Sequence, residues 1–291
     1  MTGFPAGSYT SMHPEQASWP RKAYAYLRMT RPELGVMAIV SVYIGAGGPS
    51  VSMDLLLAMP AIFLITGGSM AFNDYFDRDL DRVAHPARPI PAGILLPREA
   101  LWFSLASFGI ALVLSLLINP WCLALSIFGV AFLGLYETRF KQRGFMGNVV
   151  VAMLSSLAFI YGGAAVGRPG QAAVLSLIAF FVILGREILM DTRDMSADTV
   201  RRVTLPMRIG QRAAVRVGGA FAAVTILLTP LPVAWGILSP WYLTLFIPAD
   251  ALLGYGIFLS LEDVENAGWT SDLFRIAMAL AVGGFLLGVV L

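Results

Sequence analysis

Asn73-Asp74-Tyr75-Phe76-Asp77-Arg78-Asp79-Leu80-Asp81 closes an apolar run that begins near residue 52. Acids are costly to place beside lipid, so a group of them at the end of a hydrophobic segment marks a functional region. A second group, Glu187, Asp191, Asp194 and Asp198, follows another apolar run. With Asp79 set aside, the two groups hold seven of the chain's 18 acids.

Spacing separates these residues from Asp79. A helix advances about 100° per residue, so steps of three and four return to one face. Asp74, Asp77 and Asp81 follow that rule, and so do Glu187, Asp191, Asp194 and Asp198. Asp79 falls about 200° from Asp77 and points elsewhere. Each set forms one carboxylate stripe if its helix continues through it. Like charges on one face repel. One remedy is pairing with neighbouring arginines at a solvated helix end. The other is a divalent cation. Oxygen ligands with no His or Cys nearby suit Mg²⁺, which keeps waters and shares phosphate oxygens. Two stripes at matching places in the chain favour the cation.

The composition sets the environment. Of 291 residues, 57% are hydrophobic and 13% charged, with mean hydropathy +0.75. A soluble domain averages about 25% charged residues. The chain therefore reads as an all-α, multi-pass membrane protein. Its net charge of +2 gives no reason to expect nucleic acid. Cys122 is the one cysteine, so no internal disulfide forms, and it reads as a small core hydrophobe. His13 and His85 lie in polar stretches. Residues 1–18 lack the apolar core of a signal peptide and read as a disordered cytoplasmic segment. Residues 19–291 read as a single transmembrane domain.

Nine apolar spans are predicted, near 33–49, 52–76, 98–118, 120–138, 145–166, 171–193, 212–232, 239–261 and 271–291. Ile118-Asn119-Pro120-Trp121 is a tight break between the third and fourth. Residues 19–31 mix aromatic with basic residues and read either as an interfacial helix or as an unstructured lead-in. Lys and Arg gather before span one, after spans two, four and six, and before span nine, whereas Arg168 stands on the other side. That asymmetry places the N-terminus and both acid groups in the cytoplasm. Asp77 and Asp191 are equivalent points of a coarse repeat. Two four-helix halves with facing acidic ends would enclose one cavity, with span nine as the extra helix.

Two Mg²⁺-binding stripes can hold a diphosphate and stabilise the charge that grows on it as a leaving group. An apolar interior behind them suits a hydrocarbon tail. The expected donor is an isoprenyl diphosphate, and ionisation of its allylic bond calls for aromatic faces and exclusion of water. Arg88, Lys141, Arg201 and Arg202 are the cations available to clamp the diphosphate, or else they are ordinary positive-inside residues.

The residues also carry a resemblance. Asn73-Asp74-x-x-Asp77-x-x-x-Asp81 followed by Arg88-Pro89-Ile90-Pro91-Ala92-Gly93 resembles the first signature of the UbiA-type intramembrane prenyltransferases. Gly185-Arg186-Glu187-Ile188 with Asp191, Asp194, Asp198 and Thr204-Leu205-Pro206 resembles the second, and Lys141 with Gly147-Asn148 resembles the start of the family's fifth helix. The wording is nearest the branch holding digeranylgeranylglyceryl phosphate synthase and chlorophyll synthase. The resemblance implies a nine-helix bundle and Mg²⁺-dependent transfer of a prenyl group to a lipophilic acceptor, aromatic or hydroxyl. It implies that Asn73, Asp77 and Asp81 hold one Mg²⁺ and Asp191, Asp194 and Asp198 the other. Lys141 and Arg88 would touch the diphosphate, and Tyr161 would stand near the allylic cation. Read from its place in the chain alone, Tyr161 is equally an interfacial belt residue. Asp250, within an apolar span, is either a structural hydrogen-bonding group or a late proton acceptor.

There are departures. Leu34 replaces the family's usual Asn three residues past Arg31, Met190 replaces a frequent Lys, and the linker from Asp198 to Thr204 is short and lacks Gly. They keep an alternative open, a terpene cyclase of the same fold that needs no acceptor, with Gly162, Gly163, Ala164 and Ala165 as small cavity residues. A transporter is a third class, but acids at span ends do not suit a mid-membrane ion site.

Overall fold

The computed structural model describes residues 18–49, 52–195 and 203–291. The expected segment 1–18 therefore lies, but for Ser18, outside the described residues. All regular structure among those described is helical: α1 (Trp19–Thr30), α2 (Pro32–Gly45), α3 (Met53–Ala84), α4 (Pro97–Ile118), α5 (Pro120–Leu135), a π-turn (Tyr136–Phe140), α6 (Phe145–Ala165), α7 (Pro169–Arg193), α8 (Leu205–Ile209), α9 (Gln211–Leu228), α10 (Leu231–Ala234), α11 (Leu243–Glu262) and α12 (Ala267–Val290). Eight helical segments are long and apolar enough to cross a membrane, and α2 is a shorter apolar helix. The nine expected spans correspond to these nine segments.

Lengths explain where the acids fall. A hydrocarbon core of about 30 Å takes about 20 helical residues. Counted from Met53, that length is used up near Asn73, and α3 runs on through the acids to Ala84. Counted from Pro169, it is used up two residues before Asp191. In α3 the apolar stretch is spent just before Asp74; in α7 it is spent after Glu187 and just before Asp191. α2, with 14 residues, spans only about 21 Å and begins abruptly after α1. Residues 19–30 are helical, which removes the unstructured alternative.

Two compact units divide the chain. The first comprises Met1–Val36 and Phe63–Ile110. In it Ala25 and Met29 of α1 pack with Ala71, Ile90, Leu95 and Ala100, and Lys22 donates to Glu99 at 2.8 Å. Ile90 and Leu95 pin the loop after α3 into this core, and the amides of Ile94 and Leu95 both donate to the Pro89 carbonyl. The loop is thereby folded back, which decides where Arg88 goes.

The second unit comprises Met37–Ile62 and Ala111–Leu291. α6 lies along α7, α7 along α9, and α11 along α12. Its core gathers Ile44, Phe159, Leu175, Ile178, Tyr242, Phe246 and Phe285. Small residues let backbones approach where no hydrophobic force draws helices together in lipid. A Cβ on Gly162 would overlap the Val42 carbonyl, and one on Gly45 would overlap that of Phe159, so α2 and α6 touch backbone to backbone. A Cβ on Gly163 would strike Ala172 and the Arg168 carbonyl. This corrects one expectation: Gly162 and Gly163 are helix-contact residues rather than residues that enlarge a cavity.

Candidate active site

The first acid group lies on unbroken helix, so its stripe forms as the spacing predicts. Asp74 and Asp81 are buried and Asp77 is half-buried, whereas the Asp79 side chain is 68% exposed and pairs with Arg82 at 3.4 Å. Asn73 shares the helix one position earlier and is half-buried. Two guanidiniums reach the stripe. Arg88 Nη1 donates to Asp81 Oδ2 at 2.6 Å and lies 3.5 Å from Asp74 Oδ1. Arg31 Nη2 donates to the same Asp74 Oδ1 at 3.1 Å. Charge-assisted contacts of this kind, made by buried carboxylates, hold the side chains in place.

The second group lies in the other unit. α7 ends at Arg193, and Asp194 is its C-cap. Asp194 therefore caps α7 rather than lying within it. Asp198, Arg201 and Arg202 lie outside the described residues. Asp191 is 1% exposed, and its Oδ2 accepts from Asn148 Nδ2 on α6 at 2.7 Å. The amide satisfies a buried lone pair. Glu187 accepts from Arg186 at 3.1 Å, and Asp194 takes a two-pronged contact from Arg193 at 2.7 and 2.8 Å.

Lys141 follows the π-turn, a form that recurs at functional sites. Its amide closes on the Tyr136 carbonyl, and its Nζ reaches Glu137 Oε2 at 2.7 Å. The Glu137 side chain is 1% exposed. Lys141 is thus held by a buried acid four residues before it.

Two expected residues stand elsewhere. Tyr161 is 13 residues beyond Asn148 on α6, about 20 Å along the helix from the contact with Asp191. It is 2% exposed, and its hydroxyl bonds Ser115 Oγ at 2.7 Å, which in turn bonds Ser126 Oγ at 2.8 Å. A lipid-facing belt does not fit that burial. It is a polar tie among α4, α5 and α6, of a kind common in membrane bundles. Asp250 accepts from Thr229 Oγ1 at 3.2 Å, while Tyr242 Oη donates to the Thr229 carbonyl. Gly185 and Gly218 mark where α7 and α9 cross. Helix rise from that crossing puts Thr229 roughly 25 Å from Asp191 along the two axes. The hydrogen bond with Thr229 fits the structural reading of Asp250.

Arg31, Asn148, Glu137 and Arg193 were missed as site residues by sequence reasoning. Glu137 had a legible signal, four residues before Lys141, and Asn148 stood in a quoted motif. Arg31 and Asn148 each act on an acid 43 residues away, which spacing cannot reveal.

Among the described residues no three His, Cys, Asp or Glu side chains converge as a ready-made metal cage. Mg²⁺ is commonly held by one or two carboxylates and completed by substrate phosphates and waters. The donors fit: hard oxygens, buried or at span ends, with guanidiniums now standing as the cations beside Asp74 and Asp81.

Residues 34–289 match the UbiA prenyltransferase family. The chain belongs to that family. As a UbiA prenyltransferase it is a multi-pass integral membrane enzyme that transfers a prenyl group from an isoprenyl diphosphate to an acceptor. It is 36% identical to the digeranylgeranylglyceryl phosphate synthase of Thermococcus kodakarensis, over 90% of this chain and 97% of that one. To the enzyme of the same name from Natronomonas pharaonis it is 37% identical, over 88% and 95%. A solved structure concerned with digeranylgeranylglyceryl phosphate synthase in membranes matches with a TM-score of 0.82 at 28% identity, covering 92% of this chain and 99% of that one. A UbiA homologue from Archaeoglobus fulgidus, solved with GPP and Mg²⁺, shares the fold at a TM-score of 0.65 and 19% identity, covering 90% and 99%.

Proposed function

We propose that this UbiA prenyltransferase makes the second ether bond of a glycerol phosphate lipid, taking a geranylgeranyl group from geranylgeranyl diphosphate onto the free hydroxyl of geranylgeranylglyceryl phosphate. The observation that carries the reading is likeness to digeranylgeranylglyceryl phosphate synthases at 36–37% identity over nearly the whole chain. The acid groups add the chemistry. Asn73, Asp77 and Asp81 would hold one Mg²⁺, and Asp191, Asp194 and Asp198 another. Bound there, Mg²⁺ neutralises phosphate oxygens and stabilises the departing diphosphate.

The chain's own residues do the rest. Arg88 and Lys141 offer cationic donors to the diphosphate, and Arg201 and Arg202 are further candidates. Asn148 keeps Asp191 oriented. The allylic C–O bond breaks with both electrons leaving on the diphosphate. The acceptor oxygen then bonds the freed carbon, and its proton passes to the released diphosphate. Apolar helices behind the acids keep water from the cation. Acceptor-free cyclisation loses part of its support, because two of the small residues invoked for it are helix contacts.

The test is product analysis by mass spectrometry with donor, acceptor and Mg²⁺. Digeranylgeranylglyceryl phosphate, formed only when the acceptor is present, supports the proposal. A cyclic C20 product formed without acceptor would sink it.

We also assign the N-terminus and both acid groups to the cytoplasmic face, from the Lys and Arg asymmetry. Cys122 is buried and leaves the background silent. A Gln142→Cys variant should label from the cytoplasmic side and Gln171→Cys from the opposite side; the reverse pattern would overturn the assignment.

A further inference from the structure

Among the described residues, Arg31 is the one non-glycine residue in the left-handed region, with φ +47°. It sits between α1 and α2, where its amide caps the end of α1 by bonding the Arg28 carbonyl. A residue with a Cβ adopts this conformation only when its surroundings hold it there, and such outliers collect at functional sites. Here the conformation goes with a side chain turned onto α3. Nη1 meets Met70 Sδ at 3.2 Å and Nη2 meets Asp74 Oδ1 at 3.1 Å.

Asp74 is buried, and the oxygen that meets Arg31 also faces Arg88. Arg88 in turn lies between Asp74 and Asp81. A carboxylate enclosed by two guanidiniums has little room for a hydrated Mg²⁺, which gives up its waters reluctantly. Its evident task is to hold arginines. Arg31 is fixed by the helix break and by Met70, whereas Arg88 rides on a loop.

We propose that Arg31 is a positioning residue for prenyl transfer: it fixes Asp74, and Asp74 holds Arg88 where the prenyl diphosphate binds. Asp74 then leaves the set of expected metal ligands, and Asp77 and Asp81 remain in it. The proposal rests on the prenyl-diphosphate reading above.

The test measures two quantities on the full-length protein in detergent. One is affinity for geranylgeranyl thiodiphosphate, an unreactive donor. The other is Mn²⁺ affinity and stoichiometry by electron paramagnetic resonance at saturating thiodiphosphate. Arg31→Gln and Asp74→Asn should each weaken donor binding by about tenfold, the scale of losing an outer partner. The double variant should be no worse than the weaker single, and Arg31→Lys should recover part of the loss. Bound Mn²⁺ should be unchanged in number and affinity. Loss of an Mn²⁺ from Asp74→Asn would make Asp74 a ligand and overturn the proposal, as would wild-type donor affinity in both single variants. If Arg31→Gln does not fold, as judged by thermal unfolding, Asp74→Asn and Arg31→Lys decide by the same readouts. Failure of the wild-type protein to bind the donor at all would overturn the underlying reading and the proposal with it.

Discussion

The two acid groups use one residue type at one helical spacing, yet their neighbours differ. In the first, Asp74 and Asp81 are buried against arginines brought from positions 31 and 88. In the second, Asp191 is buried against a neutral amide, and Asp194 meets the arginine beside it in sequence. A buried ion pair that loses one partner leaves an uncompensated charge and costs several kcal/mol. An exposed pair such as Arg193–Asp194 is worth about 0–1 kcal/mol and yields readily to another cation. The first group is thus held by guanidiniums distant in sequence, whereas in the second Asp194 is held by an adjacent, more exposed one.

If both groups serve one diphosphate, the largest effect comes from removing a metal-type acid in either. Asp77→Ala and Asp191→Ala should each lower diphosphate release by at least about 100-fold, the scale of losing one charge-stabilising group. Pyrophosphate assay at saturating Mg²⁺ checks this, and near-normal release in either variant breaks the symmetry between the groups.

The next test separates the cations. Arg88→Gln should raise the KM for the donor by roughly tenfold or more while leaving Asp74 and Asp81 less tightly held; Lys141→Gln should do the same through loss of a diphosphate contact. An unchanged KM in both would mean that neither cation leaves its acid for substrate. Smaller still is Asn148→Ala. Loss of an orienting partner should lower turnover about tenfold, with rescue by Asn148→Gln only if the longer amide still reaches Asp191. Wild-type turnover would mean that the amide does not orient the carboxylate. The smallest effect belongs to Asp79→Asn, an exposed residue off the stripe, which should stay within about twofold. A large loss there would contradict the helix-face assignment on which the first group rests.

Much of this was legible in the residues. Span limits follow from where prolines open helices and where charges end them, as at Pro97, Pro120 and Pro169. The stripe on α3 follows from steps of three and four on an uninterrupted helix. What escaped was set by contacts distant in sequence or by local backbone geometry. Nothing in the spacing of Glu187, Asp191 and Asp194 says that α7 stops at Arg193. Arg31 reads as one basic residue among four until its φ is known. Gly162 and Gly163 look like cavity makers until the carbonyls they touch are seen. Composition specifies which residues are small or polar; packing specifies what they face.

The central proposal is that each acid group holds one metal when the prenyl diphosphate is bound. Counting Mn²⁺ bound per chain at saturating geranylgeranyl thiodiphosphate tests it most directly. The account predicts two ions in the wild-type protein and one in Asp77→Ala or Asp191→Ala. One ion in the wild type, or two in either variant, would contradict it.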